Sequence, residues 1–278
     1  MKMEKQVTTK VINAGPETLK IMTYNVLLNF EKEGRSPDFT IDLEASIREM
    51  DPDVIGTQET TAEMHEKCLC RLTEYACYRG EAYTENNLRG NYVYWKEDKF
   101  NALEMGHRYM SDTPTVRSKY ERSREYRGFN YLLLESRETG NRFLFLNLHA
   151  DYRADEETRV LQLKTVSAFL KDEKWKNIPA IIVGDFNSTA EQASISAFLA
   201  DNANIGMTSE IAREKGDTGP TLVCGLFTKR DPYVFDYIFV TKDLINTKYY
   251  SVVDNIKNGK YPSDHLPVVA ELEIGLKA

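Results

Sequence analysis

Cysteine is scarce, with four residues, Cys68, Cys70, Cys77 and Cys224, in a chain of 278. Three of them crowd into one segment, which is not the spread of a disulfide framework, so a reducing, cytoplasmic setting is expected. No apolar run approaches the length that crosses a bilayer, and the lysine-bearing start MKMEKQVTTK leads into no apolar stretch. No membrane span is therefore predicted, and the sequence as given reads as soluble. Positive charge is not in excess either: the formal net charge is -7 and the pI is near 5.3, which argues against broad attraction to phosphate backbones. The P-loop, the dinucleotide glycine fingerprint, the GxSxG elbow and the HExxH helix are all missing. No glycine/serine linker, low-complexity tract or regular repeat divides the chain.

What is present is an ordinary globular composition, 41% hydrophobic and 28% charged, with enough apolar material for a sizeable core. One domain over residues 1–278, with its core at about 19–272, is expected, and no oligomer is predicted.

Polar residues recur where apolar segments stop. Residues 19–26 alternate polar and apolar side chains after the turn-forming run Asn13-Ala14-Gly15-Pro16, which predicts a core strand delivering Asn25 at its end. Residues 41–50 place Ile41, Ala45 and Ile47 at helical spacing and stop at Asp51-Pro52. Residues 54–59 form a short apolar strand ending in Gln58-Glu59. Residues 142–148 end at His149, and residues 178–183 end at Gly184-Asp185-Phe186-Asn187. Between these two strands, residues 155–175 set Val160, Leu163, Val166, Phe169 and Leu170 on one side of a helix. Residues 234–240 are rich in β-branched and aromatic side chains around Asp236, and Ser263-Asp264-His265 precedes a last strand over 267–272.

These residue types suit hydrolysis of a phosphoester, which must neutralise charge growing on phosphoryl and leaving-group oxygens and must orient a water. Glu59 and Asp264 lie where an acid is costly to bury without a cation, and Mg²⁺ is a hard ion that prefers oxygen ligands. Asp185 and Asn187 flank one residue, so in an extended chain both point to one side and can hold a water. His265 can donate to a phosphate oxygen while Asp236 sets its tautomer, and His149 ends a strand in the same way. Taken singly, each has an ordinary structural reading as a cap, a turn carboxylate or a strand-end histidine. His65 and His107 stand in charged surroundings and are read as surface residues.

Zinc at His65, Cys68, Cys70 and Cys77 is disfavoured, because helical positions two apart point to nearly opposite sides. The loop over 112–127 carries Arg117, Lys119, Arg122, Arg124 and Arg127, interrupted by Glu121 and Glu125. It is read as a solvated loop, with Arg127 the candidate for binding a substrate phosphate because it opens a strand.

Lys20-Ile21-Met22-Thr23-Tyr24-Asn25-Val26, Thr57-Gln58-Glu59, Asn147-Leu148-His149-Ala150-Asp151, Gly184-Asp185-Phe186-Asn187, Asp236-Tyr237-Ile238-Phe239-Val240 and Ser263-Asp264-His265 together resemble the endonuclease/exonuclease/phosphatase superfamily, in that family's order. The resemblance implies a four-layered α/β sandwich, in which two packed, mostly antiparallel sheets are flanked by helices and loops at one rim build the site. It implies Mg²⁺ (or Mn²⁺) bound directly by Glu59 and bound or supported by Asn25 and Asp264, and a water oriented by Asp185 and Asn187. His265, paired with Asp236, and His149 would stabilise charge on the scissile phosphate. It leaves open whether one metal or two take part and whether Asp185 or His265 activates the water; Asp185 is taken as the base. Residues 91–100 and 109–114 resemble the branch of nocturnin-type and deadenylase catalytic domains and bacterial phosphodiesterase-like proteins. Arg127-Gly128-Phe129-Asn130-Tyr131 departs from that branch's Arg-x-x-Thr-Trp at its last two positions.

The expected function is hydrolysis of a small or exposed phosphoester, such as a nucleotide, sugar or lipid-headgroup phosphate. A nuclease acting on DNA or RNA is the alternative, and a catalytically silent binding module is a lesser one.

Overall fold

The computed structural model describes residues 15–27, 34–83, 89–224 and 227–275. The expectations for the lysine-bearing start and for Asn13 and Ala14 lie outside the described residues.

The described strands are β1 (Glu17–Asn25), β2 (Val54–Thr60), β3 (Tyr75–Ala82), β4 (Gly90–Lys96), β5 (Phe100–Tyr109), β6 (Gly128–Ser136), β7 (Arg142–His149), β8 (Ala180–Asp185), β9 (Ile205–Met207), β10 (Glu214–Lys215), β11 (Asp236–Thr241), β12 (Asn246–Val252) and β13 (Val268–Ile274). They form a seven-stranded sheet ordered β10-β12-β13-β1-β2-β4-β3 and a six-stranded sheet ordered β5-β6-β7-β8-β11-β9. The β1–β2, β10–β12 and β7–β8 pairs are parallel and the others antiparallel. The sheets are thus mixed but mostly antiparallel, as expected.

Three apolar layers make the sandwich. Leu19, Ile21, Val54, Phe145, Ile181, Val183 and Ile238 belong to one buried cluster drawn from both sheets, so it lies between them. Leu163, Val166 and Phe198 of α3 (Glu156–Leu170) and α4 (Ala193–Asp201) pack with Leu146, Ile182 and Phe239 outside the six-stranded sheet. Phe39, Leu43 and Ile47 of α1 (Phe39–Met50) and Met64 of α2 (Ala62–Lys67) pack with Met22, Tyr24 and Ile55 outside the other sheet. These layers reproduce the four-layered α/β sandwich.

Local chemistry sets the helix ends. α1 stops at Asp51, in left-handed conformation (φ 46°) before Pro52. The Asp155 side chain caps α3 by accepting from the Thr158 N–H at 2.9 Å. α3 ends at Leu170, and the expected continuation to Trp175 is a separate 3₁₀ turn. Ile41 is 57% exposed, against the expected stripe, because the buried face runs through Phe39, Leu43, Ser46 and Ile47 at spacings of four, three and one.

The apolar interface between the sheets turns polar at one end. The Asn147 amide on β7 donates to the carbonyls of Thr57 (2.9 Å) and Tyr92 (2.8 Å) on the opposite sheet and accepts from Gln58 Nε2 (2.7 Å). Asn91 crosses in the other sense, donating to the Gly128 carbonyl at 2.9 Å. Fully buried amides that satisfy partners on both sheets fix the relative register of the sheets.

Replacing Asn147 with Ala strands two buried carbonyls, and the expected loss of stability is roughly 2–4 kcal/mol. Chemical denaturation of the purified variant measures it; a change below about 0.5 kcal/mol would show that the cross-sheet bonds are dispensable.

Candidate active site

Asn25, Glu59, His149 and Asp185 end strands β1, β2, β7 and β8 or lie one residue inside the end, and the β1–β2 and β7–β8 pairs run parallel, so each pair opens on one rim. Asp236 begins β11 rather than ending it. Because β11 is antiparallel to β8, Asp236 stands opposite Asp185 at the same rim. Asp264 and His265 arrive on the loop before β13, held by a bridge between His265 and Leu222.

A cavity of about 290 Å³ opens there, lined by Leu27, Glu59, Arg89, His149, Tyr152, Asp185, Asn187, Asp264 and His265. Larger cavities of about 630 and 500 Å³ lie elsewhere, but none of the site residues lines them. The small cavity concentrates backbone strain: Leu27, Glu59 and Asn187 have φ of 53°, 57° and 49°. Left-handed backbone at a leucine and a glutamate costs on the order of 1–3 kcal/mol each and collects at functional sites. The β2–β4 register shifts between Thr57 and Thr60, a bulge that re-aims Glu59. Gly184 has φ 149°, and a Cβ there would lie 2.1 Å from the Leu148 carbonyl oxygen, so only glycine lets β8 approach β7 this closely before Asp185.

Asp185 is the hub. Its Oδ2 accepts from Asn25 Nδ2 at 3.0 Å and lies 3.3 Å from His149 Nε2 and 3.6 Å from His265 Nε2. Its Oδ1 accepts from the Asn187 N–H at 2.9 Å, an Asx turn. The turn and the left-handed φ of Asn187 replace the extended geometry expected from sequence, yet both residues still line one cavity. Asn187 Nδ2 donates to the Ala150 carbonyl at 3.0 Å.

Burial raises the Asp185 pKa to about 7, with the negative charge of Asp236 adding to the effect, while His265, the Asn187 N–H and the Asn25 amide oppose it. His265 behaves differently. Burial disfavours its charge, but the carboxylates of Asp236 and Asp185 outweigh burial and hold its pKa well above the ordinary value. Its Nδ1 lies 2.8 Å from Asp236 Oδ2, the pairing expected from sequence. His149 is pushed the other way, by burial first and then by the positive charges of Arg127, Arg89 and His265. With no partner for Nδ1 among the described residues, neutral His149 keeps its proton on Nε2, facing Asp185. The rim therefore holds one cationic imidazole and one neutral imidazole around a single carboxyl.

Charges alternate along one wall. Glu59 Oε2 lies 3.4 Å from Arg89 Nη1, Arg89 pairs in turn with Glu125, and Glu125 Oε2 lies 2.9 Å from Arg127 Nη2. Arg127 was expected to meet substrate, but its side chain has no exposed surface, it lies under Tyr83 and it does not line the cavity. Arg89 and Tyr152 occupy that wall instead. Sequence reasoning missed both, because neither sits in a motif and their placement depends on the β3–β4 and β7–α3 connections.

Glu59 and Asp264 present carboxylate oxygens at the cavity, and Asn25, buried and bonded to Asp185, adds an amide oxygen beside them, a hard donor set that fits Mg²⁺ or Mn²⁺. Asn25 Oδ1 accepts from the Leu27 N–H at 3.1 Å and keeps a second lone pair. Asp185, Asp236 and His265 also bring ligand atoms within 4.8 Å of one another; His265 Nδ1 is bonded to Asp236, which leaves Nε2 as the free ring nitrogen. The cysteine cluster makes no such grouping among the described residues, where all four cysteines are free. His65 and His107, read as surface residues, are partly buried: His65 Nδ1 lies 3.0 Å from the Tyr94 hydroxyl and His107 Nδ1 2.9 Å from Asn130 Oδ1. Each strand partner supplies a polar group that sequence spacing does not reveal.

The raised pKa of Asp185 has a sign. A folded carboxyl that holds its proton up to about pH 7 contributes stability at low pH, and that contribution is lost as pH rises from its unfolded value, about 3.9, through about 7. In chelator, the wild-type protein is expected to lose stability relative to Asp185→Asn across that window. Denaturant unfolding at a series of pH values checks this, and parallel profiles would refute it.

A family model for the endonuclease/exonuclease/phosphatase family matches residues 22–265. Carbon catabolite repressor protein 4 homolog 3 of Arabidopsis thaliana is 25% identical over 161 residues, 56% of this chain and 34% of that one. The match thus spans about a third of the length of that curated relative. Among solved structures, an endonuclease/exonuclease/phosphatase family protein of Bacteroides thetaiotaomicron superposes with a TM-score of 0.79 at 24% identity, covering 94% of this chain and 96% of that one. A mannosyl-6-phosphatase of Bacteroides thetaiotaomicron superposes with a TM-score of 0.75 at 24% identity, covering 91% and 99%. At these identities the superpositions carry the fold, and the family match carries membership. The chain belongs to the endonuclease/exonuclease/phosphatase family.

Proposed function

We propose that the protein hydrolyses a small or exposed phosphoester, such as a sugar phosphate, nucleotide or lipid headgroup, with Mg²⁺ (or Mn²⁺) held by Glu59, Asn25 and Asp264. The observation that carries the reading is the placement of Asp185 Oδ2 within reach of Asn25, His149 and His265 at the floor of a strained cavity.

The bound cation would supply Lewis-acid polarisation of a phosphoryl oxygen. The protein's own groups do the rest. A carboxyl whose pKa lies near 7 is matched to accepting a proton from water at neutral pH, and Asp185, with Asn187 beside it, takes that role. Cationic His265, steadied by Asp236, donates from Nε2 to a non-bridging phosphate oxygen and offsets the charge that grows there. Neutral His149 offers a second N–H without adding charge. Arg89 and Tyr152 stand where the rest of the substrate would lie.

Size and charge favour a compact substrate over nucleic acid. The basic loop does not form a cationic track. Arg122 pairs with Asp155 and Glu157, Lys119 donates to the carbonyls of Ser123 and Arg124, and Arg127 is buried. With a net charge of -7, this leaves little to displace counterions from a phosphate backbone. The similarity to a mannosyl-6-phosphatase adds support for a sugar phosphate. A silent binding module would not need left-handed strain at Leu27 and Glu59.

Purified protein is expected to release phosphate from a panel of sugar and nucleotide phosphates with Mg²⁺, to stop in chelator, and to cleave oligonucleotides poorly. Asp185→Asn and His265→Ala are each expected to lower kcat by roughly 10²–10⁴-fold with the fold intact. Near-normal turnover in either variant would overturn these roles, and salt-sensitive cleavage of oligonucleotides in preference to the panel would favour the nuclease.

A further inference from the structure

Arg35, in the connection between β1 and α1, is 7% exposed. Its guanidinium makes a three-way tie. Nη2 donates to the Val26 carbonyl at 2.7 Å, Nη1 to the Leu27 carbonyl at 3.1 Å and Nε to the Pro262 carbonyl at 2.7 Å. The Phe39 ring lies 3.6 Å from Cζ and covers the cation. Val26 and Leu27 directly follow Asn25, and Pro262 lies two residues before Asp264. A second tie is parallel to the first: Ser263 Oγ donates to the Asn25 carbonyl at 2.6 Å.

The planar fork of an arginine spans several fixed acceptors at once, which a lysine ammonium on a flexible stem does not. Burial lowers the Arg35 pKa to about 10, with Tyr24, Asp264, Cys68 and Glu59 pulling it back up, so the group remains charged at neutral pH. Its charge therefore lies close enough to Asp264 and Glu59 to act on both. Two opposed effects follow. A buried cation beside these acids repels a second cation, whereas the tie holds the two loops at a set separation before any cation arrives.

We propose that the tie outweighs the repulsion and that Arg35 is a positioning residue for cation binding, setting Asn25 against Asp264 by joining the loops that carry them. The proposal rests on the reading that Asn25, Glu59 and Asp264 hold the metal. Its sign separates it from simple electrostatics: if charge dominated, removing Arg35 would tighten cation binding. It is also separable from a role in stability alone, which would lower Tm without moving the affinity of the folded protein.

The test is Mn²⁺ titration, with free ion followed by electron paramagnetic resonance, on folded wild-type protein, Arg35→Met, Arg35→Lys and Glu59→Gln, with Arg48→Met as a control. Arg48 also ties several partners, Glu44, Glu74 and the Arg71 carbonyl, but on the outer helix. Arg35→Met is expected to weaken Mn²⁺ binding by about 10-fold or more, Arg35→Lys by less, and Arg48→Met not at all. Tighter or unchanged binding in folded Arg35→Met overturns the proposal. If that variant does not fold, an affinity of Arg35→Lys equal to wild type overturns it. Loss of Mn²⁺ binding in Glu59→Gln together with unchanged binding in the Arg35 variants leaves the metal reading standing and removes only Arg35. Unchanged binding in Glu59→Gln removes the metal reading and the proposal with it.

Discussion

The Asn147 amide, buried between the two sheets, is the contact on which the site depends. Asn25 and Glu59 belong to the seven-stranded sheet, His149, Asp185 and Asp236 to the six-stranded one. An apolar interface alone tolerates sliding, because hydrophobic contact is non-directional. Asn147 removes that freedom by donating to two carbonyls of the opposite sheet, and the bond from Asn25 to Asp185 completes the link two residues nearer the rim. The site can thus demand sub-ångström placement from residues as far apart in sequence as Asn25 and His265.

Within that frame, electrostatics distinguishes two buried histidines. Both are enclosed, and enclosure favours the neutral ring. His265 has Asp236 on Nδ1 and stays charged; His149 has no acceptor on Nδ1 among the described residues, faces Arg127 and Arg89, and stays neutral. The shared neighbour Asp185 is held well above the usual carboxylate range, by burial first and by the charge of Asp236 after it. One carboxyl between one cation and one neutral donor suits a reaction in which a proton leaves water while charge builds on phosphate.

The basic loop shows that a residue opening a strand need not face the site. Arg117, Lys119, Arg122, Arg124 and Arg127 read as a solvated loop with Arg127 reaching substrate, yet Arg122 and Lys119 are spent on local partners and Arg127 is drawn wholly inside by Glu125 and Tyr83. Arg89 and Tyr152, which carry no motif, reach the cavity instead. The loop thus supports the site from outside through the Glu125–Arg89 pair, while the cavity wall itself comes from two other connections.

The gathering of Asn25, Glu59, His149, Asp185, Asn187, Asp236, Asp264 and His265 at one rim was legible from sequence, as was the α/β sandwich. The reason is local: polar residues at the limits of apolar strands, and the order of their motifs, are properties of the chain that no packing detail can reverse. The tertiary structure alone decided matters that depend on what lies across a gap. It put Asn187 in left-handed conformation in the Asx turn of Asp185, withdrew Arg127, half-buried His107 against Asn130, exposed Ile41, and set Arg35 beneath the loops of Asn25 and Asp264. A side chain's protonation, exposure and partners are set by neighbours distant in sequence, and spacing along the chain carries no record of them.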